Sequence, residues 1–126
     1  FSPVLEKDIW DGIMQDSTGG GGPAEMKRIA TMGEAYGVMV APHNPNGPLS
    51  TLASAHVCAS IPNFFRCEFM VNDVAWRDEV ITHPLDVREG FLHLSERPGL
   101  GVDLIEEELE KHPGIRGLKE KDNFYV

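Results

Sequence analysis

Several classes of protein are excluded by what this sequence lacks or contains in small number. It has two cysteines, too few for a cysteine-rich zinc site or a disulfide framework. Cys58 and Cys67 both lie in apolar segments, which favours buried free thiols. No apolar run approaches the roughly 18 residues that a membrane-spanning helix needs. No run of lysine or arginine marks a surface for nucleic acid or anionic lipid.

The remaining composition is that of an ordinary globular chain. Hydrophobic residues make up 41% and charged residues 25%, both near typical usage. The net charge is −9, so an anionic substrate would need a local positive charge or a metal ion. No signal peptide is visible, and we expect a cytoplasmic protein.

Three polar residues each end an apolar run: Asp16, His43 and Glu68. They are 27 and 25 residues apart, close to the roughly 30 residues that one strand and helix occupy in a (β/α)₈ barrel. Because polar residues at the carboxyl ends of barrel strands point into the active-site mouth, we expect these three to form one site. Each also has a simpler interpretation: Asp16 as a turn residue or helix cap, His43 as a structural loop residue, and Glu68 as a solvated strand end.

The pattern of elements supports a parallel sheet. Residues 23–36 show the clearest helix, with a stripe of Met26, Ile29, Ala30 and Gly33 at helical spacing. Short apolar runs at residues 13–15, 38–41 and 64–69 predict strands, and the small, apolar segment 49–61 predicts a helix packed on several sides. The resulting order, β-α-β-α-β with short connections, requires parallel strands.

The character of the chain changes after residue 70. Residues 85–94 carry a hairpin signal, and residues 105–111 predict a short acidic helix. We therefore divide the chain into residues 1–70, part of a (β/α) barrel, and residues 71–126, a tail. At 126 residues, beginning at Phe1, the chain is about half a complete barrel of ~250 residues, and we expect a piece of a longer protein or a half-barrel that needs a partner.

Five motifs are spread over the chain: Gly21-Gly22-x-x-Glu25-x-Lys27-Arg28-Ile29-Ala30, Glu34-Ala35-Tyr36-Gly37-Val38, Ala41-Pro42-His43-Asn44-Pro45-x-Gly47-Pro48, Pro62-Asn63-Phe64 and Pro98-Gly99-Leu100-Gly101-Val102. Together they resemble the enolase superfamily, in particular its mandelate racemase and muconate lactonizing enzyme type. Within that type the chain is most similar to sugar-acid dehydratases of the galactonate and mannonate kind.

The resemblance implies an α/β fold, the C-terminal half of a TIM-like barrel, with a tail that returns to a capping domain. It implies that Asp16 and His43, at the ends of the sixth and seventh strands, are a catalytic dyad, with His43 also meeting the substrate. Glu68, at the end of the eighth strand, matches a residue that supports the substrate carboxylate or its enolate. The resemblance also implies a Mg²⁺ cofactor whose three acidic ligands would precede Phe1, so no metal ligand is expected in this chain. Family members are commonly multimeric, which implies a homo-oligomer.

Two features depart from the family pattern. Gln15 stands where proline usually precedes the aspartate, and the glycine run Gly19 to Gly22 is longer than usual. Both adjoin Asp16 and bear on the shape of its loop.

Three functional hypotheses remain open. The first is a fragment of a Mg²⁺-dependent aldonate dehydratase that removes the proton next to a carboxylate and eliminates water. Histidine suits this step because its pKa lies near neutrality, and a carboxylate partner fixes its tautomer. The second is a racemase or epimerase of a 2-hydroxy acid in the same superfamily, and the third is an inactive half-barrel. The identity of the sugar acid and the stereochemistry of elimination stay open.

Overall fold

A computed structural model describes residues 1–71 and 73–113 of the chain. Its helices and strands, in chain order, are α1 (Ser2–Leu5), β1 (Gly12–Ile13), α2 (Gly22–Glu34), β2 (Met39–Val40), α3 (Pro48–Cys58), β3 (Val87–Arg88), β4 (Phe91–Leu92) and α4 (Glu106–Glu110). No helix among the described residues is both long and apolar enough to cross a bilayer. The part of the predicted tail beyond residue 113 lies outside the described residues.

Helix α2 forms as its sequence predicts. Its buried residues are the four of the apolar stripe, Met26, Ile29, Ala30 and Gly33. The helix ends at Glu34, and Gly37, with a positive φ of 70°, turns the chain so that the amide of Val38 bonds back to the carbonyl of Gly33. The stripe faces β1 and β2, and these elements together build the apolar core.

Strands β1 and β2 pair in parallel, with Gly12 opposite Met39 and Ile13 opposite Val40. Because side chains alternate along a strand, Ile13 and Val40 are buried against the helices while Met39 is exposed on the other face. The parallel arrangement inferred from the alternation of strands and helices is therefore present, although each strand is shorter than predicted.

The predicted third strand at 64–69 is wrong as a regular strand. It is reduced to one parallel bridge between Val40 and Phe64. The backbone bonds Val40 N to Asn63 O (2.8 Å) and Phe65 N to Val40 O (2.9 Å) begin a ladder. The next donor from β2 would be residue 42, but Pro42 has no N–H, so the ladder stops there. The Pro42 carbonyl instead accepts from Glu68 N at 3.3 Å.

Helix α3 is buried on most sides, as its small apolar residues predict, although it ends at Cys58 rather than at residue 61. A buried cluster of three hydroxyls ties it to the segment after β1. Ser17 Oγ lies 3.1 Å from Ser50 Oγ and accepts a bond of 3.0 Å from Ser54 Oγ. The cysteines are free thiols, with Cys58 buried and Cys67 half-buried.

The predicted hairpin is present in the tail. Strands β3 and β4 pair antiparallel, and the connecting Glu89 and Gly90 have φ values of 53° and 82°. Two successive positive φ angles are the geometry of a type I′ hairpin turn. The acidic helix is also present as α4, with all of its residues at least partly exposed.

Candidate active site

The register of the sheet brings Asp16 and His43 together. Gly12 is opposite Met39, and Asp16 and His43 each lie four residues beyond that pair. Nδ1 of His43 is 3.2 Å from Oδ2 of Asp16, and the two side chains are 39% and 21% exposed. The prediction that this carboxylate and imidazole lie within hydrogen-bonding reach is confirmed, while their catalytic roles stay predictions.

The Asp16 carboxylate is held by several donors besides His43. Its Oδ1 accepts bonds from the amide and the hydroxyl of Thr18, both 2.6 Å, and from Gly19 N at 3.0 Å. Its Oδ2 accepts a bond of 2.8 Å from the side-chain amide of Asn46. Burial tends to raise the pKa of Asp16, but the hydrogen bonds from Thr18, Gly19 and Asn46 outweigh it and hold the pKa well below its usual value. Asp16 is therefore an anion, and it also organises its own turn.

This anion determines the tautomer of His43. A carboxylate oxygen only accepts hydrogen bonds, so the ring nitrogen that faces it, Nδ1, carries the proton. In the neutral ring Nε2 is then the basic nitrogen. An imidazole oriented by a carboxylate in this way can take a proton at Nε2 and give it back, which is the arrangement general acid–base chemistry needs.

Glu68 is connected to the dyad through the residue next to His43. The amide of Asn44 donates a bond of 2.7 Å to Oε2 of Glu68, and the Asn44 side chain donates to the Glu68 carbonyl at 3.1 Å and to Thr51 Oγ1 at 2.9 Å. Asn44 is fully buried. Glu68 lines a cavity of about 550 Å³ beside α3 whose lining includes neither Asp16 nor His43. The structure therefore joins Glu68 to the dyad by the Pro-rich loop rather than by direct contact.

The donor set of this region does not amount to a metal site. Within residues 1–71 and 73–113, no three side chains of His, Cys, Asp or Glu come together in a way that could hold a metal ion.

Three polar residues of the site were missed by sequence reasoning: Asn44, Asn46 and Arg77. Both asparagines lie in the Pro-rich loop after β2, so a search of that loop for side-chain donors could have found them. Arg77 is 31 residues from Asn46, and it reaches the site only through the tertiary fold. His56, on α3, is half-buried, and its Nε2 has no hydrogen-bond partner among the described residues.

Residues 1–108 match the model of the enolase C-terminal domain-like family. The chain belongs to this family. Its α/β fold is that of the mandelate racemase and muconate lactonizing enzyme type, as the motifs indicated.

Among curated relatives, the D-xylonate dehydratase of Haloferax volcanii is 33% identical over 109 residues, which are 86% of this chain and 26% of that protein. A structure from Burkholderia xenovorans named as an L-alanine-DL-glutamate epimerase, bound to magnesium and fumarate, is 34% identical with a TM-score of 0.84, over 90% of this chain and 28% of the other. An enolase from Pantoea ananatis with bound D-gluconate and magnesium is 30% identical with a TM-score of 0.78, over 88% and 27%. The chain thus spans about a quarter of the length of the proteins it matches.

Proposed function

We propose that this chain is the C-terminal part of a Mg²⁺-dependent dehydratase of sugar acids, acting on an aldonate. The observation that carries the proposal is the hydrogen bond between Asp16 and His43, which lie at corresponding positions beyond the ends of two parallel strands. The D-xylonate dehydratase relative and the gluconate-bound structure support an aldonate as substrate, since both names refer to sugar acids.

We also propose that β1, β2 and the segment from Phe64 belong to the last strands of a (β/α) barrel. The face of β1 and β2 opposite the helices carries exposed apolar side chains, Met39 on β2 and Met14, 62% exposed, just after β1. On the segment that bridges to β2, Phe65 is 57% exposed. Apolar side chains on an unpaired sheet are normally covered, and preceding strands of a closed barrel would cover both the face and the edges.

In this proposal the dyad transfers a proton from the carbon next to the carboxylate to the departing hydroxyl group, which leaves as water. Nε2 of His43 takes the proton from the carbon next to the substrate carboxylate, and the electron pair of that C–H bond forms a carbon–carbon double bond as the β C–O bond breaks. The His43 imidazolium returns a proton to the departing hydroxyl, which leaves as water. Asp16 stabilises the imidazolium between the two transfers.

Glu68 is proposed to meet the substrate carboxylate or its enolate. Its Oε2 already accepts the amide of Asn44, which leaves Oε1 as the oxygen for a ligand. Mg²⁺, when bound, would lower the barrier by stabilising negative charge on the substrate carboxylate. Since the described residues do not form a magnesium site, its ligands are proposed to come from another part of the protein.

The proposal is tested by incubating the complete protein with Mg²⁺ and a panel of aldonates in D₂O. Dehydration converts an aldonate to a 2-oxo-3-deoxy acid, which NMR detects together with deuterium at carbon 3. Formation of this product from one or more aldonates is the expected result. Exchange of the proton next to the carboxylate without loss of water would instead support a racemase or epimerase, the second candidate, which the name of the Burkholderia xenovorans structure favours.

The third hypothesis, an inactive half-barrel, makes a different prediction in the same experiment. An inactive protein neither releases water nor exchanges deuterium, and it binds no Mg²⁺ in a titration followed by calorimetry. A cytoplasmic location and a homo-oligomeric state are part of the proposal as well.

A further inference from the structure

The tail of the chain is connected to the Asp16–His43 dyad through two residues. We propose that Arg77 and Asn46 are positioning residues: Arg77 holds the loop that carries Asn46, and Asn46 holds the Asp16 carboxylate in the orientation that meets His43. The catalytic consequence rests on the proposed function, whereas the effect on the geometry of the dyad does not.

Asn46 makes the contact with the dyad. Its Nδ2 donates 2.8 Å to Oδ2 of Asp16, the same oxygen that Nδ1 of His43 approaches at 3.2 Å, and it also lies 3.2 Å from Oγ1 of Thr18. The carboxylate therefore accepts hydrogen bonds at both oxygens, from Thr18 and Gly19 at Oδ1 and from Asn46 at Oδ2. Without Asn46 only His43 would remain on Oδ2, and the position of that oxygen about the soft χ2 torsion would depend on the bonds to Oδ1 alone.

Arg77 fixes the backbone of Asn46. Its Nη1 donates 3.0 Å to the Asn46 carbonyl, while Nε and Nη2 form a forked pair with the two oxygens of Asp73. Arg77 is 9% exposed, which is unusual for an arginine, and its charge is matched by Asp73. One guanidinium thus spans an acidic partner in the tail and the loop after β2, a geometry that the planar fork of arginine allows and lysine does not.

This chain of contacts matters because a general base must be aimed accurately. A displacement of about 1 Å can cost on the order of 10²-fold in rate, even when the altered residue is far from the reacting atoms. The loop itself contains Pro42, Pro45 and Pro48, which limit its backbone freedom. The hydrogen bond from Arg77 fixes the carbonyl between the last two of these prolines, so that the loop is restrained at its apex.

The test compares three variants of the complete protein: Asn46→Ala, Arg77→Lys and the double variant. The first readout is the resonance of the His43 Nδ1 proton in ¹⁵N-histidine-labelled protein, assigned by its loss in His43→Asn. We expect Asn46→Ala and Arg77→Lys each to shift or broaden this resonance. On the aldonate substrate we expect kcat to fall at least about 10-fold with KM changed less than about twofold. The groups that bind the substrate stay in place, while the His43 imidazole is no longer oriented toward the proton that it removes.

The matched control is Arg88→Lys. Arg88 also pairs with an aspartate in the tail, Asp86 at 2.8 Å, but this pair is exposed and lies in the β3–β4 hairpin. The Arg88→Lys variant should leave the His43 Nδ1 resonance and kcat unchanged. Because Arg77 acts through Asn46, the double variant should be no more impaired than Asn46→Ala alone.

An unshifted Nδ1 resonance in Asn46→Ala overturns the proposal, as does a double variant whose losses in kcat are additive. If the wild type turns over no aldonate, the proposed function fails, and the resonance in the three variants still decides whether Arg77 and Asn46 position the dyad. Loss of the thermal transition would show that Arg77→Lys does not fold. Asn46→Ala then decides the proposal alone, because Asn46 is only half-buried and its truncation perturbs the fold less.

Discussion

Oδ2 of Asp16 lies 3.2 Å from Nδ1 of His43 although the two residues are 27 positions apart in the chain. The distance follows from the parallel pairing of β1 and β2, which places the carboxyl ends of both strands at the same edge. The pairing of two short strands thus brings the imidazole next to the carboxylate that orients it.

The first prediction concerns His43→Asn in the complete protein. Removal of the proton-transferring nitrogen should lower turnover of the sugar acid at least ~10²-fold, the lower end of what general acid–base residues contribute. Mg²⁺ and substrate binding, measured by calorimetry, should persist, because asparagine keeps a polar side chain of smaller size there. His83→Asn, at an exposed histidine of the tail, serves as the control. Near-normal turnover in His43→Asn would show that His43 is only structural.

The second prediction is a pH dependence of stability that Asp16 causes. Its pKa in the folded state lies below the value of about 3.9 expected in the unfolded chain. A lowered carboxyl pKa stabilises the fold above the unfolded value, and this stabilisation is lost as the pH falls through the folded value. The free energy of unfolding, measured in urea, should therefore fall from about pH 5 downward more steeply in the wild type than in Asp16→Asn.

The comparison between the two proteins is needed because another group titrates in the same range. Asp73, which accepts hydrogen bonds from Arg77, has its pKa lowered to about 2. Its contribution is common to the wild type and Asp16→Asn, so it cancels in the difference. Parallel curves for the two proteins would contradict the prediction.

The third prediction concerns the contact between α2 and β1. A Cβ on Gly33 would lie 2.6 Å from Cδ1 of Ile13, a residue that is fully buried. Crowding of a packed core costs about 1–3 kcal/mol, and the better helix propensity of alanine returns up to about 1 kcal/mol. Gly33→Ala should therefore lower the free energy of unfolding by about 1 kcal/mol.

The matched control for Gly33→Ala is Gly19→Ala, where a Cβ would have nothing within 4 Å and where φ is not in the left-handed region. Chemical denaturation of both variants measures the difference. An increase of stability in Gly33→Ala larger than in Gly19→Ala would show that the helix has room to move away from β1.

The fourth prediction concerns residues 1–126 expressed alone. Met14, Phe65 and Phe91 are 62%, 57% and 70% exposed, and the unpaired strand edges offer free backbone donors and acceptors. We expect association in sedimentation velocity and no dehydration of aldonates with added Mg²⁺. Phe65→Ser should weaken the association more than Thr31→Ser, a change on an exposed face of α2. A monodisperse, active monomer would refute both the half-barrel and the external metal ligands.

Much of the local structure could be predicted from the sequence because it depends on neighbouring residues. The apolar stripe of α2 is a periodicity, and the hairpin turn at Glu89 and Gly90 depends on residues next to each other in the chain. The spacing of Asp16 and His43 could also be read, since strands and helices alternate there with short connections. For the same reason the parallel pairing of β1 and β2 was predictable.

The tertiary structure alone decided how far the third strand pairs and how the Asp16 carboxylate is held. Residues 64–69 have the composition of a strand, but the missing N–H of Pro42, on a neighbouring segment, ends their pairing after one bridge. Asn46 lies in the Pro-rich loop, but its bond to Asp16 follows from no sequence pattern, and the bond from Arg77 to the Asn46 carbonyl depends on how the tail folds back over the loop. The sequence by itself thus determined that Asp16 and His43 follow two parallel strands, because that is a matter of local periodicity. How those residues are held depends on contacts between distant segments, which only the packed chain brings together.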